Sequence, residues 1–350
     1  MQLKLYVYTA AAMLAGCSGG ESQSAFMPSA PIQQNVTPPR SSVRPAIRSE
    51  RRRANANANA AVRYVYVSNR TQQGSSQLLV YPEGVQNPAP IRTITQGLVN
   101  VAGVAVDPSG NVYVANGSAG NVLEFAPGGT SLIQTYSKGL YNPVNVTVSD
   151  GTLYVADQGQ IMEYATGNGT PVLGISGLGA NDGIAVDPAG SQGTFFASAS
   201  SLTAIPPNGG CAGSTYQVAE NLLPTLWMQV SLSNNQQAWG LAFDTAGKLY
   251  ASDPCNNDIA IYSSVSYGWS YSGKVPGTFN VPLFLTTDNQ LLAIPSAGSL
   301  SGSPVGTAGY VTVIDLTGHA STVTITNGLQ HPIGAAVGSS SYVFAEGFRQ

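Results

Sequence analysis

Gly103-Val-Ala-Val-Asp-Pro-Ser-Gly-Asn-Val-Tyr-Val-Ala-Asn116 is the stretch on which the reading of the fold turns. Two short β-rich runs flank Asp-Pro-Ser-Gly, where Pro presets φ and Gly accepts positive φ, so the phrase predicts a tight hairpin. It recurs as Asn145-Val-Thr-Val-Ser-Asp-Gly-Thr-Leu-Tyr-Val-Ala-Asp157, as Gly183-Ile-Ala-Val-Asp-Pro-Ala-Gly190 with Thr194-Phe-Phe-Ala-Ser198, and as Gly240-Leu-Ala-Phe-Asp-Thr-Ala-Gly-Lys-Leu-Tyr-Ala-Ser-Asp253. Fainter copies begin at Pro282 and Gly334, and successive starts lie 42, 38, 57, 42 and 52 residues apart. A spacing of about 40 to 50 residues is that of propeller blades, here with two insertions.

Working outward, each hairpin is followed by a third run ending near an aromatic or aliphatic residue, as at Tyr81, Phe125, Tyr164, Tyr262 and Ile314, and then by a fourth alternating run such as Leu132–Tyr136 or Thr322–Thr326. Four antiparallel strands per unit make one blade. First-type strands near residues 103, 145, 183, 240, 282 and 334 number six, so the expectation is an all-β, six-bladed propeller of four-stranded antiparallel blades over residues 62–350. Tyr64–Ser68 reads as a second-type strand and Ile333–Val337 as a first-type strand, which predicts closure of the last blade between N- and C-terminal strands. Ser341–Ala345 is a further second-type run competing for the slot of residues 64–68.

Composition agrees. Charged residues are only 9% of the 350, against about a quarter in ordinary soluble domains, while Gly (40), Pro (22) and Tyr (17) are abundant. That balance excludes long coiled coils and favours a turn-rich β chain. A formal net charge of -3 gives no global attraction to nucleic acid, and no apolar run reaches the ~18 residues of a membrane-spanning helix.

Residues 1–17 read as a secretory signal, with Lys4 ahead of the apolar stretch Leu5–Leu14 and the box Leu14-Ala15-Gly16-Cys17. This resembles the bacterial lipoprotein signal. The resemblance implies lipidation of Cys17, a membrane anchor and an extracytoplasmic location, with Ser18 favouring the outer membrane. Residues 18–61, rich in Pro, Arg and Asn, lack hydrophobic periodicity and are expected to form a disordered tether. The tether gathers Arg40, Arg44, Arg48, Arg51, Arg52 and Arg53, whereas residues 62–350 hold seven bases against fifteen acids, a net of -8.

At the phrase residues the chain also resembles the NHL-repeat and gluconolactonase-like (SMP-30) six-bladed propellers, closely at 103–116 and more faintly in the last two units. The lactonase branch holds a divalent cation over the channel, and Asn181-Asp182-Gly183 resembles its Asp-Gly piece, which implies a metal-ligand role, calcium for instance, for Asp182. The other starts of first-type strands offer Asn100, Asn142, Gln237, Asn280 and His331, with no Glu among them. Calcium wants six to eight oxygens, usually from more than one carboxylate. With Asn181 and Asp182, these residues read as a hydrogen-bonding rim at the channel mouth, suited to a neutral small molecule, a carbohydrate or a partner protein.

Other chemistry is thin. No Gly-x-Ser-x-Gly elbow or Walker loop occurs. Virginiamycin-lyase-like propellers use a His base, which makes His331 the candidate here, although no orienting acid is visible beside it. Asp107, Asp187 and Asp244 are expected to stabilise hairpin turns. Tyr66, Tyr113, Tyr154, Phe196, Tyr250 and Phe344 share one strand position and are expected to pack between blades. Cys211 and Cys255 form an even pair in an oxidising compartment, but a bridge needs their Cα atoms within about 7 Å, so the insertion Pro206–Gln237 would have to fold across. The expected function is a monomeric, non-catalytic binding module on a membrane anchor. The alternative is a divalent-metal-dependent lactone or ester hydrolase of the gluconolactonase type.

Overall fold

The computed structural model describes residues 62–186, 194–200, 213–219, 227–230, 238–254, 256–265, 268–288, 290–298, 308–317 and 322–340. The signal with Cys17, the tether, Cys211, Gln237, Cys255, Asp187, His319 and the run at 341–345 lie outside them. At Asn181, Asp182 and Phe196 the backbone alone is described.

Along the chain the strands are β1 (Val62–Arg70), β2 (Ser76–Pro82), β3 (Arg92–Ile94), β4 (Val101–Val106), β5 (Val112–Asn116), β6 (Asn121–Phe125), β7 (Leu132–Tyr136), β8 (Asn145–Ser149), β9 (Thr152–Ala165), β10 (Pro171–Val186) and β11 (Thr194–Ser200). They continue as β12 (Gly213–Ala219), β13 (Trp227–Val230), β14 (Leu241–Phe243), β15 (Leu249–Asp253), β16 (Asp258–Val265), β17 (Gly268–Lys274), β18 (Thr286–Asp288), β19 (Leu291–Ser296), β20 (Tyr310–Asp315), β21 (Thr322–Ile325) and β22 (His331–Ser340). Two single 3-10 turns are the helical content of the described residues. The architecture is a β-propeller of antiparallel blades.

The blade count differs from the expected six. Five hydrogen-bonded sheets form: β22-β1-β2-β3, β4-β5-β6-β7, β14-β15-β16-β17, β18-β19-β20-β21, and a six-stranded sheet β13-β12-β11-β10-β9-β8. The cause is local. β10 runs without interruption from Pro171 to Val186, pairing with β9 through its first part and with β11 through its second, so two phrases that read as separate blades share one strand. At the chain ends, β1 pairs with β22 from Val62↔Ser340 to Arg70↔His331 and with β2 on its other side. β1 thus occupies the second-strand slot.

The phrase glycines carry the close approach of the innermost strands. A Cβ on Gly334 would lie 2.7 Å from Ala102 O, one on Gly103 2.8 Å from Asn145 Cα, and one on Gly240 2.9 Å from Leu285 N. Backbone bonds cross at the same places, Gly103 N to Val144 O (2.9 Å) and Phe284 N to Ile333 O (3.2 Å). The turn reading of the acids holds: Asp107 Oδ1 accepts from Asn111 N (2.8 Å), and Asp244 Oδ1 accepts from Ala246 N and Lys248 N.

Tyrosines fill the space between sheets. Tyr66 and Tyr113 are fully buried, Tyr154 and Tyr250 nearly so. Tyr66 Oη accepts from Gly128 N of the next sheet (3.0 Å), Tyr136 Oη from Gly167 N (2.7 Å), and Tyr81 Oη donates to Asn327 O (2.7 Å). Tyr66, Tyr81 and Tyr136 bury large apolar rings while their hydroxyls find backbone partners, which fixes neighbouring sheets in register, whereas Tyr113 and Tyr250 donate to the carboxylates of Glu124 and Asp244.

Candidate functional site: the rim at the starts of the innermost strands

In several units the second strand ends in Asn or Asp, and at Asn69, Asn116 and Asp157 this residue holds the loop that enters the innermost strand. Asn69 Oδ1 accepts from Gln330 N and His331 N, both at 3.0 Å. Asn116 Oδ1 accepts from Val99 N (2.6 Å) while its Nδ2 donates to Gly97 O (2.9 Å). Asp157 Oδ2 accepts from Tyr141 N (2.8 Å) and Gln160 Nε2 (2.8 Å), and Oδ1 from Asn142 N (2.6 Å). All three are buried to 0% exposure. Sequence reasoning passed over them, although the recurrence of Asn or Asp at the ends of several second strands was the available signal.

These clamps position the rim. Asn100, at φ 67°, takes Ser76 Oγ on its backbone N–H (2.7 Å), and its Nδ2 donates to Ser118 Oγ (2.9 Å). A Cβ on Gly117 would meet Asn142 Oδ1 at 2.8 Å and Asn100 Nδ2 at 3.3 Å, so the two amides face each other across that glycine. The exposed side chains of Val99 and Tyr141 precede them directly. Asn280 is half-buried beside Val281, whose N–H donates to Asn257 Oδ1 (2.9 Å). His331 Nδ1 lies 3.4 Å from Ala297 O. Asn181 and Asp182 sit on β10 next to the strand partner of β11, with their side chains not described. Of the expected rim, the structure therefore brings Asn100 and Asn142 to the two sides of one glycine, Gly117, and places His331 at an innermost strand start held by Asn69.

Arg70 joins this end unannounced by the sequence. It is the last residue of β1, opposite His331, and its Nε donates to Val101 O of the next blade (3.0 Å). Burial lowers its guanidinium from the ordinary value. Among the described residues its Nη groups make no hydrogen bond or ion pair; the ion pairs there are Arg63–Asp288 and Lys274–Asp258.

A cavity of about 220 Å³ lies further down the same axis, lined by segments of β4, β8, β10, β14, β18 and β22 and reaching the turn at Asp244 and Thr245. Its walls mix Val and Ala with Asn145, Thr147, Thr286 and Thr287, a surface that suits water or a small neutral molecule. Among the described residues no group of three His, Cys, Asp or Glu side chains is placed to hold a metal ion. In the Asp253–Asp258 loop, Asp253 accepts from Asn256 N (3.1 Å) and Nδ2 (2.8 Å), and Asp258 pairs with Lys274. Asp253 serves the loop's own geometry, and Asp258 ties the start of β16 to the end of β17.

No family model and no curated protein matches the chain. Among solved structures it is similar to a chain in a crystal structure of a nidogen/laminin complex, with 13% identity, a TM-score of 0.55 and coverage of 79% of this chain and 99% of that one. It is similar also to a functionally unknown protein from Desulfotomaculum acetoxidans, at 12% identity and a TM-score of 0.52 over the same shares. Likeness at that identity speaks for the propeller fold alone.

Proposed function

We propose that the chain is a lipid-anchored, extracytoplasmic propeller of the NHL and gluconolactonase-like kind that binds a neutral small molecule, a carbohydrate or a partner protein at its rim without turning it over. The observation that carries this reading is the pairing of Asn100 and Asn142 across Gly117, two amides held at one end of the innermost strands by buried clamps. An amide offers both donors and an acceptor, which suits hydroxyl and peptide groups of an uncharged ligand. In this reading β1 on β22 closes the ring of blades.

The anchor rests on Leu14-Ala15-Gly16-Cys17 and on a tether long enough to carry the propeller off a membrane surface. A lipidated cysteine with two acyl chains gives stable attachment. The test uses full-length protein against immobilised neutral glycans and an extracytoplasmic protein fraction, comparing wild type with the Asn100→Ala, Asn142→Ala double variant. Binding lost in the folded double variant supports the rim; binding that is unchanged overturns it. Hydrolysis of a lactone by the purified protein, abolished in Asp182→Ala and restored by calcium in the wild type alone, would replace this reading with the metal-dependent hydrolase.

A further inference from the structure

Arg70 stands at a position that packing does not require to be large. The clamps make the equivalence plain: Asn69 and Asn116 hold the incoming loops of their own blades in the same way, and the residue that follows is Arg70 in one blade and Gly117 in the next. Where Gly117 leaves room for the amides of Asn100 and Asn142, Arg70 projects a guanidinium whose Nε is held by Val101 O, one residue from Asn100. Fixing Nε leaves the two Nη groups as a fork with a set direction.

This cation belongs to a propeller whose residues 62–350 carry a net charge of -8. A guanidinium that is half-buried and lacks an acidic partner among the described residues gives up part of its hydration without an ion pair in return, a condition relieved by an incoming anion. The parallel N–H groups of the Nη fork match a planar carboxylate, and one cation matches its single charge.

We propose that the rim beside Arg70 binds a carboxylate, with the Arg70 Nη fork on the carboxylate and the Asn100 and Asn142 amides on the uncharged remainder of the same ligand. The proposal deepens the rim reading and rests on it. The carboxylate has two sources of equivalent chemistry, a sugar acid or the C-terminal end of a short peptide, and exposed Tyr141, at 73%, offers a face for either.

The probes are sodium glucuronate, its neutral methyl ester, N-acetyl-alanine and inorganic phosphate, titrated into full-length protein by calorimetry and by saturation-transfer NMR. Glucuronate is expected to bind about tenfold more tightly than the methyl ester in wild type, and that preference is expected to vanish in Arg70→Gln. Arg70→Lys is expected to keep a reduced preference, because the point charge remains and the fork is lost. N-acetyl-alanine binding more tightly than glucuronate assigns the peptide source, and the reverse assigns the sugar. Phosphate bound as tightly as either carboxylate overturns the choice of a planar anion. Equal affinity for acid and ester in wild type, or a preference unaltered in folded Arg70→Gln, overturns the proposal and leaves the neutral rim standing. No binding of any probe overturns both.

Discussion

Replacing Asp157 by alanine tests whether the rim is built by the buried clamps. Asp157 is fully buried and its carboxylate takes three hydrogen bonds, two of them from the successive backbone N–H groups of Tyr141 and Asn142 at 2.8 and 2.6 Å. Hydrogen bonds to a charged acceptor contribute roughly 1.5 to 3 kcal/mol each. The loop is open to water at Tyr141, so part of the loss is recovered by hydration, and removal of a buried charge returns its desolvation cost. The expected net loss is about 3 kcal/mol for Asp157→Ala. For Asp157→Asn it is about 1 kcal/mol, since an amide oxygen can still accept one of the two backbone bonds, as Asn116 does in the preceding blade. Urea unfolding of full-length variants measures both, with the midpoint falling and the slope unchanged. Amide exchange at Tyr141 and Asn142 should accelerate well before global unfolding. An alanine variant within about 0.5 kcal/mol of wild type, with exchange at those amides unaltered, would refute the clamp as the origin of the rim.

The innermost glycines give a second prediction: Gly334→Ala, which sets a Cβ against Ala102 O and Gly103 Cα, should lower stability by about 2 kcal/mol or more in thermal or urea unfolding, whereas Gly74→Ala, with open space around it, should cost only its positive φ. A third concerns alkaline pH. Burial raises the hydroxyls of Tyr66 and Tyr164 from 10.0 to about 12, and those of Tyr81, Tyr113, Tyr136, Tyr250 and Tyr262 are raised further. Tyrosine is neutral when protonated, so this stability is complete below pH 10 and is lost as the pH climbs through the raised values, by roughly 3 kcal/mol for Tyr66 alone. Urea midpoints that stay flat from pH 9 to 12 would contradict it. Finally, metabolic labelling with palmitate should mark the wild type and fail for Cys17→Ser, and mass spectrometry of unreduced protein should show whether Cys211 and Cys255 are two thiols short of full alkylation.

The places of Asn100 and Asn142 just ahead of β4 and β8 were legible in the sequence. Asn100 and Asn142 stand at the starts of first-type strands because the phrase repeats, and the repeat fixes their height on the disc. Arg70 was invisible for the opposite reason: it ends a strand in the one unit whose first-type strand comes from the far end of the chain, so its neighbours His331 and Val101 are 261 and 31 residues away. The clamp residues carried a signal, the Asn or Asp closing the second strand at Asn69, Asn116 and Asp157, but their partners are backbone groups of loops with no composition of their own.

The sequence by itself determined what lies within one phrase: the hairpin turns at Asp107 and Asp244, the recurring antiparallel strand unit, and the buried tyrosines of second strands at Tyr66, Tyr113, Tyr154 and Tyr250. These follow from turn chemistry and side-chain alternation, which act over a few residues. Only the tertiary structure decided that β10 stays unbroken and joins two phrases into one sheet, that β1 takes the second-strand slot beside β22, and that Arg70 bonds Val101 of the next blade. Those outcomes depend on which backbones can approach closely enough to bond, and that distance is set by packing between units far apart in the chain.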